Sequence, residues 1–267
     1  MLNRNTLKTA LYGASLLMLT SCNGMFDGIY DDPEQPSTVA AGELLVDATS
    51  WTDWYYIDLD SILTLTDAND EVALQKALTT FTAYPIPMDA TGSATTAAQQ
   101  GEKSGQYMYW FDVFGEGIKK NEYRSFTPTA AQPEPASWSF AVHRNNVRTN
   151  GGAVYKTTYT DMDAIPESSD AFKNAVFTED TWTENAVWDD QSQMLNCFVP
   201  SQGIRINTVL SSWLSMDIPP VPPLFTMDSS VFILRLKNGK YAALQLKDYM
   251  SAKGVKCWLT IKYKYPY

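Results

Sequence analysis

The stretch SSVFILRLKNGKYAALQL, residues 229–246, decides how the chain is to be read. Two apolar runs flank Asn238-Gly239. That dipeptide between alternating hydrophobic residues is the strongest short-range hairpin signal, because it accepts the positive φ that a tight turn demands. Strand, turn and strand are therefore expected here. The same pattern continues to the end of the chain in KCWLTIKYKYPY, residues 256–267. There Cys257, Leu259, Ile261, Tyr263 and Tyr265 alternate with Trp258, Thr260, Lys262 and Lys264. A period of two places one set on each face of a strand.

Working upstream, SWSFAVHRNNVRTNGGAV (residues 137–154) repeats the alternation, with Trp138, Phe140 and Val142 against Ser139, Ala141 and His143. TNGG supplies a turn and AVYKTTYTDMD another strand. ELLVDATSWTDWYYIDLDS (residues 43–61) and YMYWFDVF (residues 107–114) are aromatic and strand-like. One segment changes period. In DANDEVALQKALTTFTAY (residues 67–84), Leu74, Leu78 and Phe81 share a helical face. The spacing predicts one short helix over 69–82, capped by Asp67 or Asn69 and closed by Pro85 and Pro87. Residues 88–106 are small and polar and read as an exposed loop; TPTAAQPEPA (residues 127–136) is a proline-rich connector. The expected fold is mainly β: an antiparallel sheet domain with one short helix, and no internal repeat.

The chain has 267 residues, 45% hydrophobic and 19% charged, a globular balance. Its 8 Trp, 15 Tyr and 11 Phe suit strands and core. The N-terminal MLNRNTLKTALYGASLLMLTSC carries Arg4 and Lys8 ahead of an apolar run too short to span a bilayer. It reads as a signal sequence, residues 1–21, ending in a lipobox that makes Cys22 the lipidated residue. Residues 22–42, rich in Gly, Pro and Asp, read as a flexible tether. Residues 43–267 then form the domain. The formal charge is −10; loss of residues 1–21 removes two basic residues and no acidic one, taking it to −12. Such a chain is a poor partner for nucleic acid.

His143 is the only histidine. No GxSxG, HExxH, P-loop or Rossmann glycine pattern accompanies it, and Asp189-Asp190 is weak evidence in so acidic a chain. No enzyme is expected. Cys197 and Cys257 are the cysteines downstream of Cys22; export allows a disulfide chemically, and the sequence leaves their pairing open.

WSFAVHRNNVRTNGGAV followed by YTDMD, together with FILRLKNGKYAALQLKDYMSAKGVKCWLTIKYKYPY and the early WTDWYYIDL, resembles the HmuY-like haem-binding lipoproteins of anaerobic Gram-negative bacteria. Residues 66–135 look like an insertion relative to shorter members. The resemblance implies HmuY-like topology and a lipoprotein of the outer membrane, lipid-anchored at the cell surface. Such a haemophore captures haem for iron acquisition through a TonB-dependent outer-membrane receptor. It also implies that the His-Arg strand is framework. The family's two ligand loops correspond to about residues 189–194 and to WLSMDIPPVPP after Trp213-Leu214. Neither holds histidine; they hold Met194 and Met216, and some members use a methionine pair. The resemblance thus implies Met194 and Met216 as ligands of haem iron. Met227 and His143 stay as alternatives, and a gap-free alignment from Trp213 puts Ile218 at the second position. Trp188, Phe198 and Trp213 would pack on the porphyrin, and Arg205 would meet a propionate. The other expectation is a non-haem binding module, for a glycan or a surface protein, on the same scaffold, its methionines filling core gaps.

Overall fold

The period-two stretches become strands, and the ladders between them are antiparallel. The computed structural model describes residues 38–86, 106–112, 117–124, 133–189, 198–217 and 224–267, with backbone alone for 106–112, 117–124, 183–189 and 198–202. Among these residues the strands form four sheets. The largest runs β1 (Glu43–Asp47), β16 (Lys256–Lys264), β15 (Tyr241–Met250), β14 (Phe232–Arg235), β8 (Ala153–Lys156) and β9 (Thr178–Glu179). A second holds β3 (Thr82–Pro85), β2 (Asp53–Ile57), β6 (Phe140–His143) and β7 (Asn146–Thr149). A third holds β10 (Thr181–Asp189), β11 (Phe198–Ile206), β4 (Gln106–Asp112) and β5 (Gly117–Arg124). The last is a hairpin of β12 (Leu214–Asp217) and β13 (Leu224–Met227).

The Asn238-Gly239 hairpin joins β14 to β15 as expected. Leu236 and Lys240 close it, with the Leu236 N–H donating to the Lys240 carbonyl at 2.9 Å. Gly239, at φ +84, takes the left-handed position that ends this three-residue connection. The upstream turn behaves differently from a hairpin. TNGG carries the chain from β7 in one sheet to β8 in another. A Cβ on Gly152 would lie 2.7 Å from the Arg235 carbonyl oxygen, so only glycine allows this close crossing.

The helical expectation needs correction. The helix expected over 69–82 is present as α2 (Glu71–Thr79), but it is not alone: α1 (Leu59–Asp67) begins inside the stretch 43–61 read as strand-like, and α3 (Thr208–Ser211) follows β11. Asp58 caps α1 by accepting from the Asp60 and Ser61 amides, and Asp70, not Asp67 or Asn69, caps α2. Asn69 instead stops α1, at φ +53. Pro85 ends β3, an edge strand, where a missing N–H costs no ladder bond. Gln75 on α2 brackets Val39: it accepts the Val39 N–H at 3.0 Å and donates to the Val39 carbonyl at 3.2 Å.

Three cores follow from the strand faces. The main one joins Leu44, Val46, Ile57, Leu59, Leu78, Phe140, Val142, Phe232, Leu234, Leu259 and Ile261. On the other side of β14, Val231 and Ile233 meet Met162, Ile165 and Phe172. The VFIL run is continuous because both faces of this strand are buried. The third core is aromatic: Trp54, Tyr56 and Trp138 with Ile204 and Ile206.

Candidate ligand site

His143 belongs to the aromatic core. It is 0% exposed, its Nδ1 lies 2.9 Å from the Asp53 carbonyl oxygen, and its ring meets Trp54 edge-on at 5.6 Å. Burial pushes its pKa down to about 3, opposed by the hydrogen bond to Asp53. The imidazole is therefore neutral at pH 7, and Nδ1 carries the proton that it donates. With no exposed surface it offers no nitrogen to an external metal. The residues after it are framework too. Arg144 donates to the Thr49 carbonyl at 2.8 Å and lies 3.4 Å from the Trp51 ring centre. The buried Arg148 guanidinium lies 4.8 Å from the Trp138 ring centre and pairs with Glu134 at 2.5 Å.

Met216 lies elsewhere, on β12. It is half-buried against the main core, and its register partner is Phe225 on β13. Phe225 stacks on Tyr249 with ring centres 5.7 Å apart and planes within 9°. The Lys256 ammonium lies 4.7 Å over the same ring. Met227, opposite Leu214, is 37% exposed. A neutral, polarizable thioether thus stands beside an aromatic pair and a cation. A half-buried thioether on this ribbon suits an apolar ligand that carries a soft acceptor.

The remaining expected residues divide. Trp213 is 0% exposed, held under the main core, and presents no face to a flat ligand; that expectation is corrected. Arg205 is exposed and donates to the Asp180 carbonyl at 3.1 Å. Trp188 and Phe198 belong to β10 and β11, described by backbone alone. Met194, Cys197, Ile218, Asp190 and Cys22 lie outside the described residues, as do the signal, most of the tether and most of the 88–106 loop. Cys257 is a free, buried thiol whose pKa burial pushes up to about 11, so it is unreactive near neutrality. Among the described residues no three His, Cys, Asp or Glu side chains gather as metal ligands, and no helix is long and apolar enough to cross a membrane.

Sequence reasoning missed Phe225, Tyr249 and Lys256. Register and bulges in separate hairpins bring them together, and no local pattern announces such contacts.

The family model described as HmuY protein matches residues 50–263. No curated protein matches the chain. Among solved structures, the chain is similar to a Bacteroides vulgatus protein described as HmuY-like and haem-binding. They share 27% identity and a TM-score of 0.55, covering 84% of this chain and 91% of that one. A lipoprotein from Bacteroides fragilis is 26% identical with a TM-score of 0.54, covering 88% and 99%. PinO from Porphyromonas gingivitis, solved in its apo form, shares the fold at 19% identity and a TM-score of 0.55, covering 85% and 97%.

Proposed function

Because the chain belongs to the HmuY family, we propose that it is a haem-binding lipoprotein, a binding protein and not an enzyme. The observation that carries this is the family match over residues 50–263, which takes in both hairpins that bear the candidate ligands. The donor chemistry agrees. The only histidine is enclosed, whereas Met216 stands half-buried on a hairpin beside Phe225 and Tyr249. Met194 and Met216 would hold the iron, each through a neutral thioether. Haem supplies a redox-active iron, and two soft, uncharged sulfurs favour its reduced form. Cys22 would carry the lipid anchor at the outer membrane, with the domain facing outward to a TonB-dependent receptor. Replacing Cys22 with Ser should release the protein to the soluble fraction.

The test is a haem titration followed at the Soret band, before and after dithionite. Weak binding of oxidised haemin and tighter binding of the reduced form are expected. Met216→Ala and Met194→Ala should each weaken the reduced complex, and His143→Ala should leave it nearly unchanged. The enclosure of the only histidine also favours a second reading, a non-haem binding module on the same scaffold. A wild type with no Soret change in either redox state would make that the better one.

A further inference from the structure

The hairpin β10–β11, whose connection carries Met194, and the hairpin β12–β13, which carries Met216, are joined by the short segment 207–213. β10 begins one residue after Asp180, and β11 ends one residue before Asn207. Asn207 in turn caps α3, the helix that delivers the chain to Trp213 and β12. The Asp180 carboxylate accepts the Thr149 N–H at 2.6 Å, the Thr149 hydroxyl at 2.9 Å and the Asn207 Nδ2 at 3.1 Å. Asn207 Nδ2 also donates to the Thr178 carbonyl at 2.8 Å, and its Oδ1 accepts the Leu210 N–H at 2.9 Å. Asn207 and Thr149 are buried and Asp180 is half-buried. Thr149 lies at the chain crossing into β8, so the knot also touches the largest sheet.

We propose that Asp180, Asn207 and Thr149 form a positioning knot that fixes the two ligand-bearing hairpins relative to each other. Each neighbour gives the carboxylate a donor, and only an acceptor at Asp180 satisfies all of them. Asp180→Asn would turn an amide N–H₂ toward either the Thr149 N–H or the Asn207 Nδ2, which can only donate. One buried hydrogen bond must then be lost, and the roots of both hairpins loosen together. Groups hydrogen-bonded directly to metal ligands change affinity by roughly 10- to 100-fold when replaced, and Asp180 acts one step further out.

For its affinity arm this inference rests on the haem reading above; its exchange arm does not. Hydrogen exchange on the full chain should show amides of β10–β11 and of β12–β13 exchanging faster together in Asp180→Asn. The dissociation constant of reduced haem should rise about tenfold, the lower end of that range. The double variant Asp180→Asn/Asn207→Asp restores a donor–acceptor pair between the two side chains but sets a carboxylate against the Thr178 carbonyl, so it should recover neither effect. Ile233→Val, in the core on the other side of β14, should lower the melting temperature and leave haem affinity as in the wild type. If Asp180→Asn folds poorly, Thr149→Val removes one donor and should give the same pattern, smaller. Exchange that rises in one hairpin only, or an affinity loss equal to that of Ile233→Val, would overturn the knot. A wild type without haem binding would sink the haem reading instead, and the exchange result would then judge the knot alone.

Discussion

The strands Phe232–Arg235 and Leu224–Met227 are four residues each and lie a few residues apart in the chain. The first pairs on both sides, and its Phe232, Ile233 and Leu234 are completely buried between two cores. The second, among the described residues, pairs on one side only, and of its side chains Phe225 alone is buried. The difference lies in what each strand is free to do. A strand enclosed on two faces with both edges bonded cannot change a side chain without a void. A two-stranded ribbon is marginal alone and keeps its place through a few contacts, here the Phe225–Tyr249 stack and the packing of Leu214 and Met216. One region holds the fold; the other is where a soft donor can stand half-exposed without endangering it.

The comparison yields measurements of decreasing size. Phe232→Ala, in the enclosed strand, should cost about 3–5 kcal/mol in denaturant unfolding, the usual cost of emptying a phenylalanine site. A loss under about 1 kcal/mol would mean that the two-core description of β14 is wrong, since even smaller core truncations cost that much. The next effect is acid sensitivity of the scaffold. The folded pKa of His143 is lowered to about 3, whereas an unfolded histidine titrates near 6.5. Between those values the unfolded chain binds the extra proton, so this contribution is present above pH 6.5 and is lost as pH falls toward 3. From pH 7 to pH 5 it should amount to about 2 kcal/mol. His143→Asn keeps a donor for Asp53 and does not titrate, so its stability should depend less on pH by that amount.

In the hairpin, stability and binding should part company. Met216→Leu conserves volume and should change stability by less than about 1.5 kcal/mol, while it removes the sulfur and weakens reduced haem. Unaltered haem spectra in Met216→Leu would return Met216 to the role of core filler. Smallest of all, Leu224→Ser replaces a residue that is 55% exposed and should move the unfolding midpoint by an amount within about 0.5 kcal/mol. A larger loss would show that the ribbon is more deeply tied to the fold than its contacts indicate.

The same contrast explains what could be read in advance. The Asn238-Gly239 hairpin and the Cys257/Leu259/Ile261 alternation were legible because both rest on neighbours in sequence. α1 was not, because its stretch, LDSILTLTD, adjoins the strand Asp53–Ile57 and carries β-branched residues that suit either state. Alternation in β6 does not say which faces are covered: Ser139 and His143 are buried along with Phe140, since the aromatic core covers that side. For the candidate site, Met216 could be named from the sequence as a candidate, whereas its neighbours on the ribbon could not. Phe225, Tyr249 and Lys256 meet only after β13, β15 and β16 have taken their places. Trp213 shows the reverse error: an aromatic residue beside a ligand loop was credited to the ligand and went to the core.

The bracket of Gln75 around Val39 has a mechanical consequence. A side-chain amide that gives and takes one hydrogen bond with the same backbone residue imitates a neighbouring strand. Any pull transmitted down the chain from the residues before Val39 reaches this clasp before it reaches β1. Among the described residues β1 is an edge strand, bonded to β16 alone, and would otherwise be the first element to peel. A helix outside the sheet thus works as a strain relief, as the grip on a cable spares the solder joint behind it.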